Sequence, residues 1–143
     1  MKLSIDEMHY IGLFEGLTGA KVRDCIVRDD SVLFVVEPGN AGKAIGRKGS
    51  NIEKASKLIQ KRAEVVEYSD SLEVFIRSIF TPARISSINL VEGEDGLKKV
   101  YVVPHHDDQG LAIGRNGRNI NRARMLLKRY CDIDQVIVSS SAV

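Results

Sequence analysis

The chain has 143 residues, 43% of them apolar, with 21 basic and 19 acidic side chains for a net charge of +2. That apolar share is enough for packed cores and excludes global disorder, while so small a net charge identifies no partner. No apolar run approaches the length that crosses a bilayer, and Met1 to Asp6 lacks the charged-then-apolar layout of a secretory signal, so the expectation is a soluble, cytoplasmic chain without a membrane partner.

In chain order, Ser4 to Leu17 has helical spacing, with Met8, Ile11, Leu13, Phe14 and Leu17 on an apolar side. Ser4 followed by Glu7 fits a capping box, and Gly19 supplies a stop. Val22–Val27 and Ser31–Glu37 are rich in β-branched residues and joined at Asp29-Asp30, which reads as a hairpin. A short helix near Ala41 to Ile45 leads into a Gly46–Gly49 loop. A longer helix, Ser50 to Arg62, presents Ile52, Ala55, Ser56 and Ile59 on one side. Val65, Val66 and Tyr68 form a last strand.

The same series then recurs. Ser71 to Phe80 is a helix capped by Ser69 or Asp70 and ended by Pro82. Ile85–Val91 and Lys98–Val103 pair across a longer turn, Glu92 to Gly96. A short helix near Asp108 to Ile113, a Gly114–Gly117 loop, a helix Arg118 to Tyr130 and a strand Gln135–Val138 complete it. Ser139 to Val143 reads as a frayed tail.

Two stretches of the series are copies of each other. Gly42-Lys43-Ala44-Ile45-Gly46-Arg47-Lys48-Gly49-Ser50-Asn51-Ile52 lies over Gly110-Leu111-Ala112-Ile113-Gly114-Arg115-Asn116-Gly117-Arg118-Asn119-Ile120, at an offset of 68 residues (114 minus 46). The offset holds without a gap from Val32 and Val100 to Val65 and Ile133. Repetition at this period, each copy long enough for a small core, indicates duplicated domains, 1–69 and 70–143. The junction at Ser69-Asp70 is too short to be a floppy tether, so the expected architecture is α+β, two α-β-β-α-α-β domains rigidly joined into one composite surface.

Most of the positive charge sits in the copies. Lys43, Arg47, Lys48, Lys54, Lys57, Lys61 and Arg62 stand against the single acid Glu53 between Pro38 and Ala63. Arg115, Arg118, Arg122, Arg124, Lys128 and Arg129 meet no acid between Gln109 and Cys131. Locally concentrated cations are the footprint of a polyanion site. Of these, Lys54, Lys57, Lys61, Arg62, Lys128 and Arg129 read as solvated helix faces. Paired glycines allow backbone angles and close approach that a side chain forbids, and the helix start after each loop offers free N–H groups and partial positive charge to a phosphate.

The two segments resemble the KH domain, in which a Gly-x-x-Gly loop clamps about four nucleotides of single-stranded nucleic acid. Both match the pattern Ile-Gly-x-x-Gly-x-x-Ile, and the α-β-β-α-α-β order resembles the type II variety. The resemblance implies single-stranded RNA as partner, held in the first copy by Ile45, Gly46, Arg47, Lys48, Gly49, Asn51 and Ile52. In the second it implies Ile113, Gly114, Arg115, Asn116, Gly117, Arg118, Asn119, Ile120 and Arg122. Ile45 and Ile52, with Ile113 and Ile120, would wall a groove for unstacked bases. Asn116 in place of Lys48 shifts the second site's weight to Arg118, Arg122 and Arg124. Residues 4 to 138 as a whole resemble the archaeal NusA-like transcription factors. That implies a role in elongation, termination or antitermination through nascent RNA, with RNA polymerase or the elongation complex as a candidate partner. A KH factor of ribosome assembly or RNA chaperoning fits the same residues.

Catalysis and cofactors are not expected. Gly42 to Ser50 is not a Walker A phosphate loop, because arginine stands five residues after Gly42 where glycine is required. Cys25 and Cys131 lack metal or catalytic spacing and read as buried free thiols, with a disulfide between them the alternative for a hyperthermophilic source. His105-His106-Asp107-Asp108 reads as a helix start with Asp107 or Asp108 capping, not as a metal site. The absence of Trp, and of Phe or Tyr clustered near the basic stretches, disfavours stacking platforms of the RRM or OB type.

Overall fold

The computed structural model describes residues 3–140, and the chain divides into two compact units, Met1–Ser69 and Asp70–Val143. Unit 1 runs α1 (Ile5–Thr18), β1 (Val22–Val27), β2 (Ser31–Val36), α2 (Ala41–Ile45), α3 (Ser50–Ile59) and β3 (Arg62–Glu67). Unit 2 runs α4 (Leu72–Phe80), β4 (Ile85–Glu92), β5 (Lys98–Pro104), α5 (Gln109–Ile113), α6 (Arg118–Cys131) and β6 (Gln135–Val138). Among the described residues, no helix is long and apolar enough to cross a membrane.

Each unit holds a three-stranded mixed sheet, ordered β1-β2-β3 and β4-β5-β6. The hairpin strands are antiparallel and the last strand joins the middle one in parallel. The parallel pairing demands a crossover, and the two helices around each Gly-x-x-Gly loop provide it. The first strand of each hairpin slips register at its start, between Val22 and Asp24 and between Ile85 and Ser87. The repeat therefore extends to an irregularity of the sheet.

In unit 1 the core gathers Phe14 of α1, Val32, Phe34 and Val36 of β2, Ala44 of α2 and Ala55 of α3, with Phe14 and Phe34 stacked 4.1 Å apart. All six β2 residues are buried, as the run Ser-Val-Leu-Phe-Val-Val requires of a central strand. In unit 2, β5 alternates, with Val100, Val102 and Pro104 buried. Phe75, Ile76, Ile79 and Phe80 of α4 join Ala123, Leu126 and Leu127 of α6 in the buried set, and Phe75 meets the Tyr130 ring edge-on at 5.6 Å. Burying each of the valine, leucine, isoleucine and phenylalanine side chains contributes about 1.5–3 kcal/mol.

The α1 capping box forms, with Glu7 N–H donating to Ser4 Oγ (3.1 Å) and Ser4 N–H to the Glu7 carboxylate (2.9 Å). Gly19 closes the helix in the left-handed region. Three boundaries and one face differ from expectation. Met8 is exposed rather than part of the apolar side. The helix α3 stops at Ile59, not Arg62, because Gln60 turns left-handed and Ala63 N–H donates to Ser56 Oγ, pulling the chain back into the sheet. Arg62 thus belongs to β3, where it meets Asp30 and Glu64. The cap of α4 is Ser71, whose Oγ accepts from Val74 N–H, rather than Ser69 or Asp70.

Candidate nucleic-acid interface

The two Gly-x-x-Gly loops have the same backbone. Gly46 adopts φ 76°, ψ 173° and Gly114 φ 80°, ψ 168°, a region open essentially to glycine alone. The second glycines, Gly49 and Gly117, are left-handed, and so are the residues before them, Lys48 (φ 53°) and Asn116 (φ 57°). Gly49 N–H donates to Gly46 O (3.2 Å) and Gly117 N–H to Gly114 O (3.1 Å), closing each turn on itself. A left-handed turn running straight into a helix start gathers main-chain N–H groups in a concave array that suits an anion. Neither α3 nor α6 has a side-chain cap at its start to compete for that role.

The first glycine of each pair has a steric reason as well. A Cβ on Gly46 would stand 2.8 Å from both Asn51 Cγ and Asn51 N, and one on Gly114 would stand 2.8 Å from Asn119 Cγ. The asparagine is packed there because its amide donates back across the turn, Asn51 Nδ2 to Lys43 O (2.7 Å) and Asn119 Nδ2 to Leu111 O (2.8 Å). Asn51 and Asn119, expected as RNA contacts, thus also brace the two helices around the loop. The clue in sequence was Gly-x4-Asn in both copies, read only as part of the motif.

The side chains between the glycines point outward: Arg47, Lys48, Arg115 and Asn116 are all exposed. Ile45 and Ile113 stand on the preceding helices at 40% and 37% exposure, and Ile52 and Ile120 are half-buried at the following helix starts. Arg118 is half-buried and Arg124 exposed. A cleft of about 340 Å³ lies between α6 and β6, lined by Arg124, Asp134, Gln135, Val136 and Ile137. The β6 residues were legible in sequence only as a strand. Nothing in their types signals a wall, which arises because the parallel pairing with β5 leaves the other edge of β6 without a strand.

Arg122 does not belong to this face. It is buried (8% exposed), and its guanidinium donates to Ile79 O at the end of α4 (2.8 Å). There a cation meets the carbonyl end of a helix and cross-links α4 to α6. Its counterpart at the 68-residue offset, Lys54, is exposed, so the repeat alone gave no warning. Other cations are also engaged inside their own units. Lys61 Nζ donates to Arg28 O (3.2 Å), and Lys128 bridges Asp132 (2.9 Å) and Asp134 (2.8 Å).

Each short helix is tied to its sheet by matching hydrogen bonds. Lys21 N–H donates to Asn40 Oδ1 (2.9 Å) in unit 1, and Arg84 N–H to Asp108 Oδ2 (2.7 Å) in unit 2. Unit 2 adds the Arg84 guanidinium, 2.9 Å from the same carboxylate, and these bonds hold the Asp108 carboxyl down at about 2. Asp108 is thus a brace to Arg84 rather than the side-chain cap expected of it, and Asp107 does not cap either. Burial pushes the Cys25 thiol up to about 12, aided by Glu7 and Asp24, and raises that of Cys131 too. Both thiols are free.

A Gly-x-x-Gly turn between two helices, closed over a mixed three-stranded sheet and built twice, defines a protein of two KH domains. Comparisons agree: the KH domain model matches residues 9–84 and the NusA-like second KH domain model matches residues 72–140. The chain is 37% identical over 134 residues to the probable transcription termination protein NusA of Halococcus morrhuae, spanning 94% of this chain and 95% of that protein. It is 32% identical to the protein of the same name from Methanocaldococcus jannaschii, over 96% of this chain and 75% of that one. The crystal structure of APE1850 superimposes with a TM-score of 0.82 at 37% identity, covering 96% of this chain and all of that one. The chain belongs to the NusA-like family of KH-domain proteins.

Proposed function

We propose that this protein is a transcription termination factor that grips nascent single-stranded RNA at both Gly-x-x-Gly loops, by binding rather than catalysis. The observation that carries the reading is the twice-built loop: glycine-only backbone, a helix start without a competing cap, and exposed side chains, three of the four cationic. A phosphate at each turn meets main-chain donors, the helix dipole and flexible cations together. Ile45 and Ile113 offer apolar contact to unstacked bases. Loop 1 carries two cations between its glycines, while loop 2 carries Arg115 and draws on Arg118 and Arg124. The names of the relatives support the transcription role, and RNA polymerase or the elongation complex is the second partner this reading expects.

The test is fluorescence anisotropy with a labelled single-stranded RNA. Replacing Arg47, Lys48, Arg115 and Asn116 together by Asp is expected to abolish binding with circular dichroism unchanged. Intact protein should show a log–log salt slope near −0.7 per phosphate contacted, so about −3 for four contacts. Undiminished affinity in the quadruple variant, or a flat salt response, refutes the loops as the RNA grip. Loss of termination efficiency in a reconstituted transcription assay by the same variant is the expected functional readout. An unchanged efficiency refutes the termination role.

A further inference from the structure

We propose that His105, His106 and Asp107 form a binding site for a divalent metal ion of the zinc, nickel and copper class. The three are consecutive in sequence and occupy the tight turn just ahead of α5. One imidazole nitrogen from each histidine and one carboxylate oxygen all lie within 4.8 Å of one another. Asp107 Oδ1 is 3.1 Å from His106 Nε2, and Asp107 Oδ2 is 3.8 Å from His105 Nδ1. Ligands held at 2.0–2.1 Å around a tetrahedral ion are separated by about 3.3 Å, close to the His106 Nε2 to Asp107 Oδ1 distance, while His105 Nδ1 is nearer the other carboxylate oxygen. The imidazole rings lie 4.5 Å apart, tilted by 31° to each other. Two nitrogens and one oxygen suit the borderline cations and not magnesium or calcium, which select oxygen. Three protein ligands leave the remaining positions to water.

The turn beneath the ligands is fixed before any ion arrives. His105 N–H donates to Arg84 O (2.8 Å), Asp108 N–H to His105 O (2.8 Å), and Arg84 N–H to Asp108 Oδ2 (2.7 Å). Arg84, the nearby cation, is bound to Asp108, which leaves the Asp107 carboxylate facing the imidazoles. Asp107 N–H donates to His105 Nδ1 only at 3.4 Å, a long contact that an ion can replace. The site is particular to unit 2. The positions 68 residues earlier are Glu37, Pro38 and Gly39, which hold the corresponding turn without an imidazole.

Calorimetric titration of the full chain, without a polyhistidine tag, by zinc chloride and separately by nickel chloride tests the assignment. One saturable site per chain is expected. It should be lost in the H105A/H106A double variant and weakened more than tenfold by H106A alone, since groups merely supporting a metal ligand already cost about 10–100-fold. H9A and C131S, which remove the other histidine and the more exposed thiol, should titrate as the parent does. Circular dichroism of the double variant establishes that it folds. Should it fail to fold, D107N carries the same expectation of more than tenfold weakening. Absence of saturable binding by the parent, unchanged affinity in the histidine variants, or loss of binding on C131S or H9A overturns the proposal.

Discussion

Replacing Gly46 by Ala and, separately, Gly49 by Ala separates two reasons for glycine in one loop. At Gly49 (φ 76°, ψ 14°) an added Cβ meets only Ile52 Cγ2 at 3.7 Å, an ordinary contact. The penalty there is the left-handed conformation, about 1–2 kcal/mol, reduced by the 0.4–1 kcal/mol that alanine removes from unfolded-chain entropy. The net loss is about 1 kcal/mol. At Gly46 the Cβ meets Asn51 Cγ, N and Cβ at 2.8, 2.8 and 2.9 Å. The main-chain nitrogen cannot swing away, because it lies in the first turn of α3. Overpacking of about 1–3 kcal/mol adds to backbone strain of the same size and, less the same entropy offset, gives a net loss of about 3 kcal/mol at mid-range. For a domain of this length each kcal/mol moves the melting temperature by about 4–8 °C. Melts followed by circular dichroism, with hydrogen exchange assigning the loosened unit, should therefore place G46A about 8–16 °C below G49A. The pair G114A and G117A in unit 2 repeats the experiment, since a Cβ there meets Asn119 at 2.8 Å or Ile120 and Asn121 at 3.6–3.7 Å. Equal losses within a pair refute the steric account of the first glycine and leave φ as its only requirement.

Three further outcomes follow from named contacts. Arg122→Ala should destabilise the protein by about 1.5–3 kcal/mol by orphaning Ile79 O, while Lys54→Ala stays within about 0.5 kcal/mol in the same denaturant titration; an R122A that loses RNA affinity at parental stability would return Arg122 to the interface. Gln60→Gly should stabilise by about 1 kcal/mol, because glycine occupies the left-handed cap of α3 without the clash a side chain brings; a lower denaturation midpoint would show that Gln60 makes compensating contacts. Under native conditions an aromatic disulfide reagent should react at Cys131 well before Cys25, which is fully buried with its thiol raised to about 12, and peptide mapping of the first-labelled site decides it.

The sequence by itself determined the duplicated architecture and the loops. Apolar periodicity, the β-branched runs and the unbroken offset are local or repetitive signals, and a chain that repeats glycines and core positions together has few ways to fold except twice alike. It also placed the outward residues Arg47, Lys48, Arg115 and Asn116, because a glycine-flanked dipeptide at a helix junction has little room to turn inward.

Tertiary structure decided what each polar side chain does. Arg122 and Lys54 hold matching positions in two copies, yet only Arg122 finds a carbonyl at the end of α4. Asn51 and Asn119 take on a bracing role because Lys43 O and Leu111 O lie across the turn. Asp108 leaves its expected cap for Arg84, twenty-four residues away in sequence. Helix boundaries obeyed the same rule, Ser56 ending α3 early by accepting from Ala63. A hydrogen bond is satisfied by whichever partner the packed chain brings within about 3 Å, and that proximity is a property of the folded chain rather than of spacing along it.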